Sequence, residues 1–189
     1  AELNMLQAQI NPHFSYNTLE SLRWKAEAAG IETMSSMITA MGQFFRIGLS
    51  QGRLLIPLRQ ELKHVESFVQ IEQFRTEQVI EFHMDVPEAY LDLMVIRIIL
   101  QPLVENAIVH GIREKDAGGR ITIKARIEEQ VLILKVSDNG VGIEQDKLMR
   151  LNSTLTKGVI TQAKGYGTYN VNERIQLLMG KEYGLSFSS

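Results

Sequence analysis

With 189 residues, 44% of them hydrophobic, the chain has enough apolar mass to bury a core, as one large domain or two small ones. Its formal net charge of −2 gives no electrostatic basis for holding nucleic acid or an anionic membrane surface. The absence of cysteine excludes a disulfide scaffold and a thiolate zinc site, and no apolar stretch approaches the length of a bilayer span.

Residues 2 to about 28 are expected to form a helix, because Leu3, Leu6, Ile10, Phe14, Leu19 and Leu22 recur at three- to five-residue steps. Gly30 ends it. A second helix, from about 32 to 49, carries Met34, Met37, Ile38, Met41, Phe44, Phe45 and Leu49 on a broad apolar stripe. Joined at Gly30, the two make an antiparallel hairpin. Its wide stripe is covered either by a second copy, as a dimeric four-helix bundle, or by the rest of the same chain.

Gln51-Gly52-Arg53 marks a break, and Pro57 sits where a proline can open a helix, here one reaching about residue 75. Val79 to Val86 alternates as a half-buried strand does. Residues 91–110 are expected as one helix closed by Gly111. Arg120 to Ile127 and Val131 to Val136 are two alternating strands joined through Glu128-Glu129-Gln130. Residues 144–166 read as polar and irregular after one short helical turn, Thr168 to Met179 as a final helix, and Gly184 to Ser188 as the start of a strand. Helices and strands are grouped rather than strictly alternating, so the fold class is α+β. A helical hairpin over 1–52 precedes an α/β sandwich over 53–189 with helices on one face and a mixed, mainly antiparallel sheet.

Gln101 to Gly111 (QPLVENAIVHG) places Asn106 and His110 four apart on one helix face. An asparagine amide oxygen suits Mg²⁺, a hard ion usually shared with substrate phosphates. Glu105 can orient a water or accept a proton, and His110 can touch a phosphate. An ordinary amphipathic helix could carry the same groups on its polar face. Pro102 needs an explanation under either reading, since an interior proline removes a helix hydrogen bond.

Asp138-Asn139-Gly140-Val141-Gly142 follows an apolar strand. Asn-Gly there is a hairpin signal in its own right. The alternative gives Asp138 the exocyclic amine of adenine, with Gly140 and Gly142 letting backbone approach the base. Gly165-Tyr166-Gly167-Thr168-Tyr169-Asn170 then opens the last helix, where glycine N–H groups and the helix dipole can hold phosphate. A dinucleotide fingerprint is a poor match, because no clear strand leads in and Asn170 replaces the third glycine. Lys157 and Lys164 flank this loop, either as phosphate contacts or as solvated charges.

Asn11-Pro12-His13-Phe14 reads as a helix start, with Asn11 as cap and Pro12 in the first turn. On that reading His13 is an ordinary helix residue. On the other, its neutral imidazole is a nucleophile for an in-line γ-phosphoryl group. His64 and His83 lack a partner pattern and are expected at the surface or the core edge.

Taken in order, these segments resemble the LytS/YesM-type class of bacterial sensor histidine kinases. The phosphoacceptor box of that class, Asn-Pro-His-Phe-Leu-Phe-Asn, here reads Asn11-Pro12-His13-Phe14-Ser15-Tyr16-Asn17, preceded by Gln7-Ala8-Gln9-Ile10. The nucleotide half is similar to the GHKL (Bergerat) superfamily of gyrase, Hsp90 and MutL. Its N box corresponds to Gln101 through Gly111, its first glycine box to Asp138 through Ile143, and its second to Gly165 through Arg174.

The resemblance implies that His13 is the phosphorylated histidine, Glu105 the catalytic base and Asn106 the Mg²⁺ ligand. Asp138 would read adenine. His110, Gly140, Gly142, Lys164, Gly165, Gly167 and Thr168 complete the implied ATP-binding set. Residues from about 144 to 164 would form a mobile lid. The resemblance also implies a homodimer formed through the hairpin, phosphotransfer to an aspartate of a response regulator, and a membrane sensor region upstream of a cytoplasmic kinase portion. An ATP-binding scaffold or phosphatase without kinase activity is the alternative. Because the chain opens on Ala1 and ends at Ser189, it is expected to be a piece of something longer with an incomplete sheet. It departs from the family at Ser15, Tyr16 and Thr168, and Phe14 stands where the commonest kinases carry an acid.

Overall fold

The computed structural model describes residues 12–48, 53–76, 79–115, 118–157 and 166–189, with backbone alone at 12–15, 156, 157 and 166. Helices α1 (Pro12–Ala28) and α2 (Glu32–Gly48) form the expected hairpin. At the end of α1 the Ile31 N–H donates to the Ala26 carbonyl at 2.9 Å and the Gly30 N–H to Glu27 at 3.0 Å, with Gly30 at φ +70°. This closure satisfies leftover helix carbonyls and needs a left-handed residue, which glycine supplies cheaply. Across the hairpin, Ser35 Oγ donates to Glu27 Oε1 at 3.1 Å. The helix expected before Pro12, the Asn11 cap, Leu49 and residues 51–52 lie outside the described residues.

Strand β1 (Leu55–Pro57) runs straight into helix α3 (Leu58–Arg75). Pro57 therefore precedes the first helical residue, and its missing N–H leaves no helix bond unmade. After β2 (Ile80–Asp85) comes a single 3-10 turn (Glu88–Tyr90), then β3 (Met94–Ile96). Helix α4 (Gln101–Asn106) continues as a π-helix (Ala107–Ile112). The expectation of one helix over 91–110 is thus corrected. Met94-Val95-Ile96 pairs with β1 in antiparallel register, Ile56 opposite Val95, as a β-branched run favours.

Strands β4 (Gly119–Glu128) and β5 (Val131–Asp138) form an antiparallel hairpin, and β2 lies parallel to β4, giving the order β2-β4-β5. Only Glu129 and Gln130 form the turn, at φ +47° and +69°, one residue fewer than expected. Along β4, Ile121, Ile123 and Ala125 face inward beneath α3 and α4, whose Leu58, Val65, Val69, Val104 and Ile108 complete the core. The outer face is polar and carries Arg120–Glu81 at 2.7 Å and Lys124–Asp85 at 3.1 Å. This is the anticipated α+β sandwich with a mixed sheet and helices on one face.

Helices α5 (Gln145–Lys157) and α6 (Tyr166–Met179) follow. The irregular stretch expected after one turn at 144 is instead a 13-residue helix up to Lys157. It contains neither glycine nor proline, and Leu148, Leu151 and Leu155 give it an apolar edge, with Leu155 buried. Residues 158–165 lie outside the described residues. The strand expected at Gly184 to Ser188 is absent among the described residues. Instead the Phe187 N–H donates to Asn152 Oδ1 at 2.8 Å and the Phe187 carbonyl accepts from Asn152 Nδ2 at 2.9 Å. One side-chain amide thus takes the place of a neighbouring strand. No helix among the described residues is long and apolar enough to cross a membrane.

Candidate functional site

Pro102 is explained by its place at the start of α4, where its missing N–H would have no helical partner. From Ala107 the hydrogen bonding widens to five-residue steps, with the Arg113 N–H reaching the Ile108 carbonyl at 2.9 Å. Such π turns are rare and concentrate at functional sites. Gly111 lies inside this turn rather than closing the helix.

Its lack of a side chain has a tertiary cause: a Cβ there would stand 2.6 Å from Asp138 Oδ1. A Cβ on Gly140 would lie 2.4 Å from both the Cα and the carbonyl carbon of Gly111. The π turn and the segment after β5 touch backbone to backbone, and the Val141 N–H donates to the Gly111 carbonyl at 3.2 Å. The first glycine segment is therefore built against the end of the α4 helix.

Asp138 ends β5 and accepts the Gly140 N–H through Oδ1 at 2.8 Å; no described residue donates to Oδ2. Asn139 does structural work instead. Its Oδ1 accepts the Arg120 N–H at 2.7 Å, and its carbonyl accepts from Lys115 Nζ. Asn139-Gly140 closes no hairpin here, because the chain leads on to α5.

Asn106, His110, Asp138, Gly142 and Thr168 line one cavity of about 1840 Å³, together with Gly111, Val141 and Tyr169. Its size exceeds the roughly 300–1,000 Å³ of most ligand pockets, because it runs on past the β4–β5 hairpin to the C-terminal segment. Asn106 is half-buried, and its side-chain amide has no hydrogen-bond partner among the described residues. Lys147 and Arg150 of α5 also reach the cavity. Gly167 packs where a Cβ would be 3.5 Å from Pro102 Cβ, so α6 sits close on α4.

Other residues are placed differently. Glu105 is exposed and does not line the cavity. The backbone of His13 belongs to the first turn of α1. Lys164 and Gly165 lie outside the described residues. His83 is an exposed edge residue, 3.9 Å from Glu81. His64, expected at the surface or core edge, is fully buried. Its ring stacks on Phe44 of the hairpin at 4.4 Å, and Nε2 meets Gln101 Oε1 at 2.8 Å. Burial holds its imidazole below the ordinary histidine range, opposed by the Gln101 bond and the Glu61 charge.

Glu61 and Glu72 are buried on the same helix, and the chain did carry a signal for them. Both fall on the apolar face marked by Leu58, Leu62, Val65 and Val69, where a carboxylate must find partners. Glu72 pairs with Arg113 at 2.6 Å and Arg75 at 3.0 Å.

A family model described as "Histidine kinase" matches residues 1–80, and one described as "Histidine kinase-, DNA gyrase B-, and HSP90-like ATPase" matches residues 92–187. The chain belongs to the sensor histidine kinase family. Sensor histidine kinase YesM of Bacillus subtilis (strain 168) is 33% identical over 188 residues, which are 100% of this chain and 31% of that protein. Sensor protein LytS of Bacillus anthracis is 36% identical over 192 residues, 100% of this chain and 32% of its own length. The chain thus spans about a third of the length of these curated relatives. A solved "Bacterial Phosphotransferase" aligns with 95% of this chain and 84% of its own at 15% identity and TM-score 0.48, too loosely to transfer any residue assignment.

Proposed function

We propose that this chain is the phosphoryl-transfer region of a two-component sensor kinase, which autophosphorylates His13 from ATP and passes the group to a response-regulator aspartate. The observation that carries the reading is the convergence of Asn106, His110, Asp138, Gly142 and Thr168 on one cavity from three separate stretches of sequence. The residues present fit a magnesium nucleotide. Asn106 offers an unpartnered amide oxygen, and no group of three acids or histidines among the described residues forms a protein cage. Such a sparse site suits Mg²⁺, which keeps waters and leans on phosphate oxygens. Asp138 Oδ2 is open to accept an amine N–H, and Lys147 and Arg150 bring positive charge to the same space.

Bound Mg–ATP supplies the electrophilic γ-phosphoryl group and partial neutralisation of its charge. His13 supplies the nucleophile as a neutral imidazole near neutral pH: a nitrogen–phosphorus bond forms while the bond to the ADP oxygen breaks. Asn106 and Asp138 hold the two ends of the nucleotide so that its γ-phosphoryl group is presented in line. Glu105 is the candidate proton acceptor. The hairpin over 1–52 serves as the dimerisation and acceptor unit and 53–189 as the ATP-binding unit. The whole lies on the cytoplasmic side of a membrane sensor.

The test uses γ-labelled ATP with Mg²⁺, on folded protein, beside His13→Gln and Asn106→Ala. Acid-labile, alkali-stable label is expected, abolished by either substitution. ATP binding should survive His13→Gln and fall about 10-fold to 100-fold in Asn106→Ala, the range for weakened metal support. Nucleotide binding without label in the unsubstituted protein would favour the scaffold or phosphatase reading.

A further inference from the structure

Glu61 is fully buried on α3, and among the described residues it makes no ion pair. Its carboxylate is instead spent on backbone. Oε2 accepts the Ile98 N–H at 2.8 Å, and Oε1 accepts those of Ile99 at 2.7 Å and Leu100 at 2.9 Å. Consecutive N–H groups converging on an anion form the kind of concavity that elsewhere binds phosphate; here the protein supplies the anion itself. Ile98 stands at φ +56°, a conformation that β-branched residues rarely adopt. A strained residue persists only where its surroundings hold it, and such strain collects next to functional sites.

The same turn is gripped from its other side. Arg174 of α6 donates to the Ile98 carbonyl at 3.3 Å and to the Arg97 carbonyl. One buried anion and one half-buried cation therefore hold the N–H and C=O groups of a single four-residue stretch. The next residue is Gln101, the first of α4, itself bonded to His64 of α3. Apolar contacts from Leu100 and Val104 set how deep α4 lies, but they are non-directional and leave its rotation and axial position loose. Hydrogen bonds to the turn that starts the helix fix both.

We propose that Glu61 is a positioning residue for phosphoryl transfer, placing α4 so that Asn106 and His110 face the nucleotide; this rests on the kinase reading above. Glu61→Gln keeps the side chain's size and fold but sets an amide donor against one of the three N–H groups. Leu62→Ala on the same helix is the control, since it removes buried apolar area while leaving the three hydrogen bonds of the Glu61 carboxylate to be made. Both are made in the full-length kinase and measured per folded molecule.

Glu61→Gln is expected to raise KM for Mg–ATP about tenfold and to lower the rate at saturating ATP by a further ~10-fold to ~100-fold, the range for lost support behind a ligand. Leu62→Ala should lower stability while leaving both constants near their starting values. Amide hydrogen exchange across 98–110 should accelerate in Glu61→Gln, with 121–136 unchanged. Unaltered kinetic constants in Glu61→Gln, equal effects in Leu62→Ala, or uniformly faster exchange would each overturn the assignment. If the unsubstituted protein fails to bind Mg–ATP, the kinase reading falls, and the exchange pattern alone decides whether Glu61 holds the helix.

Discussion

In the sandwich, large side chains close on one another: Val65, Val104, Ile108, Ile121 and Ile123 are fully buried, drawn from two helices and a strand. Among the described residues of the hairpin the buried ones are small, namely Ala26, Ser35 and Ala40, while Trp24 remains 63% exposed and Leu22 and Met34 nearly half exposed. Among the described residues, the sandwich thus has a core of large side chains, whereas the hairpin is closed by small ones and keeps large apolar side chains at its surface. Since burial scales with area removed from water, the exposed Leu22, Trp24 and Met34 stand to gain from a second surface, while Phe44 of the hairpin already packs on His64 and Phe68 of the sandwich. That contrast is what the proposed homodimer would resolve, and it can be broken or sharpened by experiment.

The largest expected effect is in the sandwich. Ile121→Ala should cost about 2–5 kcal/mol in denaturant unfolding, the range for an aliphatic core truncation. A smaller loss would mean that the sheet–helix interface is looser than its burial implies. Next comes Gly140→Ala, where the new methyl meets the Gly111 backbone. It should cost about 1–3 kcal/mol as overpacking and also weaken nucleotide binding, read by calorimetry. Gly30→Ala makes the pair instructive, because nothing stands within 4 Å of its Cβ and only the left-handed φ opposes it. A loss of about 1 kcal/mol with unchanged ATP affinity is expected from thermal melts. Equal losses of affinity at both glycines would contradict the separation of roles.

Met34→Ser should barely alter the unfolding of a dilute monomer but shift sedimentation toward monomer at concentrations where the parent is dimeric; unchanged sedimentation would remove that face from the interface. The smallest effect is electrostatic. Because burial lowers the folded-state pKa of His64, the unfolded chain takes up a proton that the folded chain refuses. Its contribution is therefore intact above about pH 6.5 and is lost as pH falls below that unfolded-state value. Stability curves of the parent and His64→Gln should diverge between about pH 7 and pH 5, the parent falling more steeply. Parallel curves would show that the imidazole does not titrate in this way.

The hairpin, the strands β2, β4 and β5, and the last helix were legible in the chain, because side-chain periodicity and the glycine at position 30 are local signals. The stretch from 91 to 100 was not. Its apolar run suits a helix or a strand equally, and only pairing with β1 made Met94–Ile96 a strand. Residues 145–157 misled in the opposite direction, since polar composition resembled a loop although the leucine spacing is helical. In the candidate site, Asn106, His110 and Asp138 stood out by residue type and order, whereas their convergence on one cavity did not.

Sequence by itself determined the family, the α+β class and the residue types available for phosphate chemistry, because these depend on side-chain identity and short-range spacing. Tertiary structure decided the rest: that Gly111 and Gly140 are mutual contacts, that His64 is buried between hairpin and sandwich, and that Glu61 meets a turn 37 residues away. Those facts depend on which surfaces exclude water together, and a buried polar group declares its partner only once the chain has closed around it.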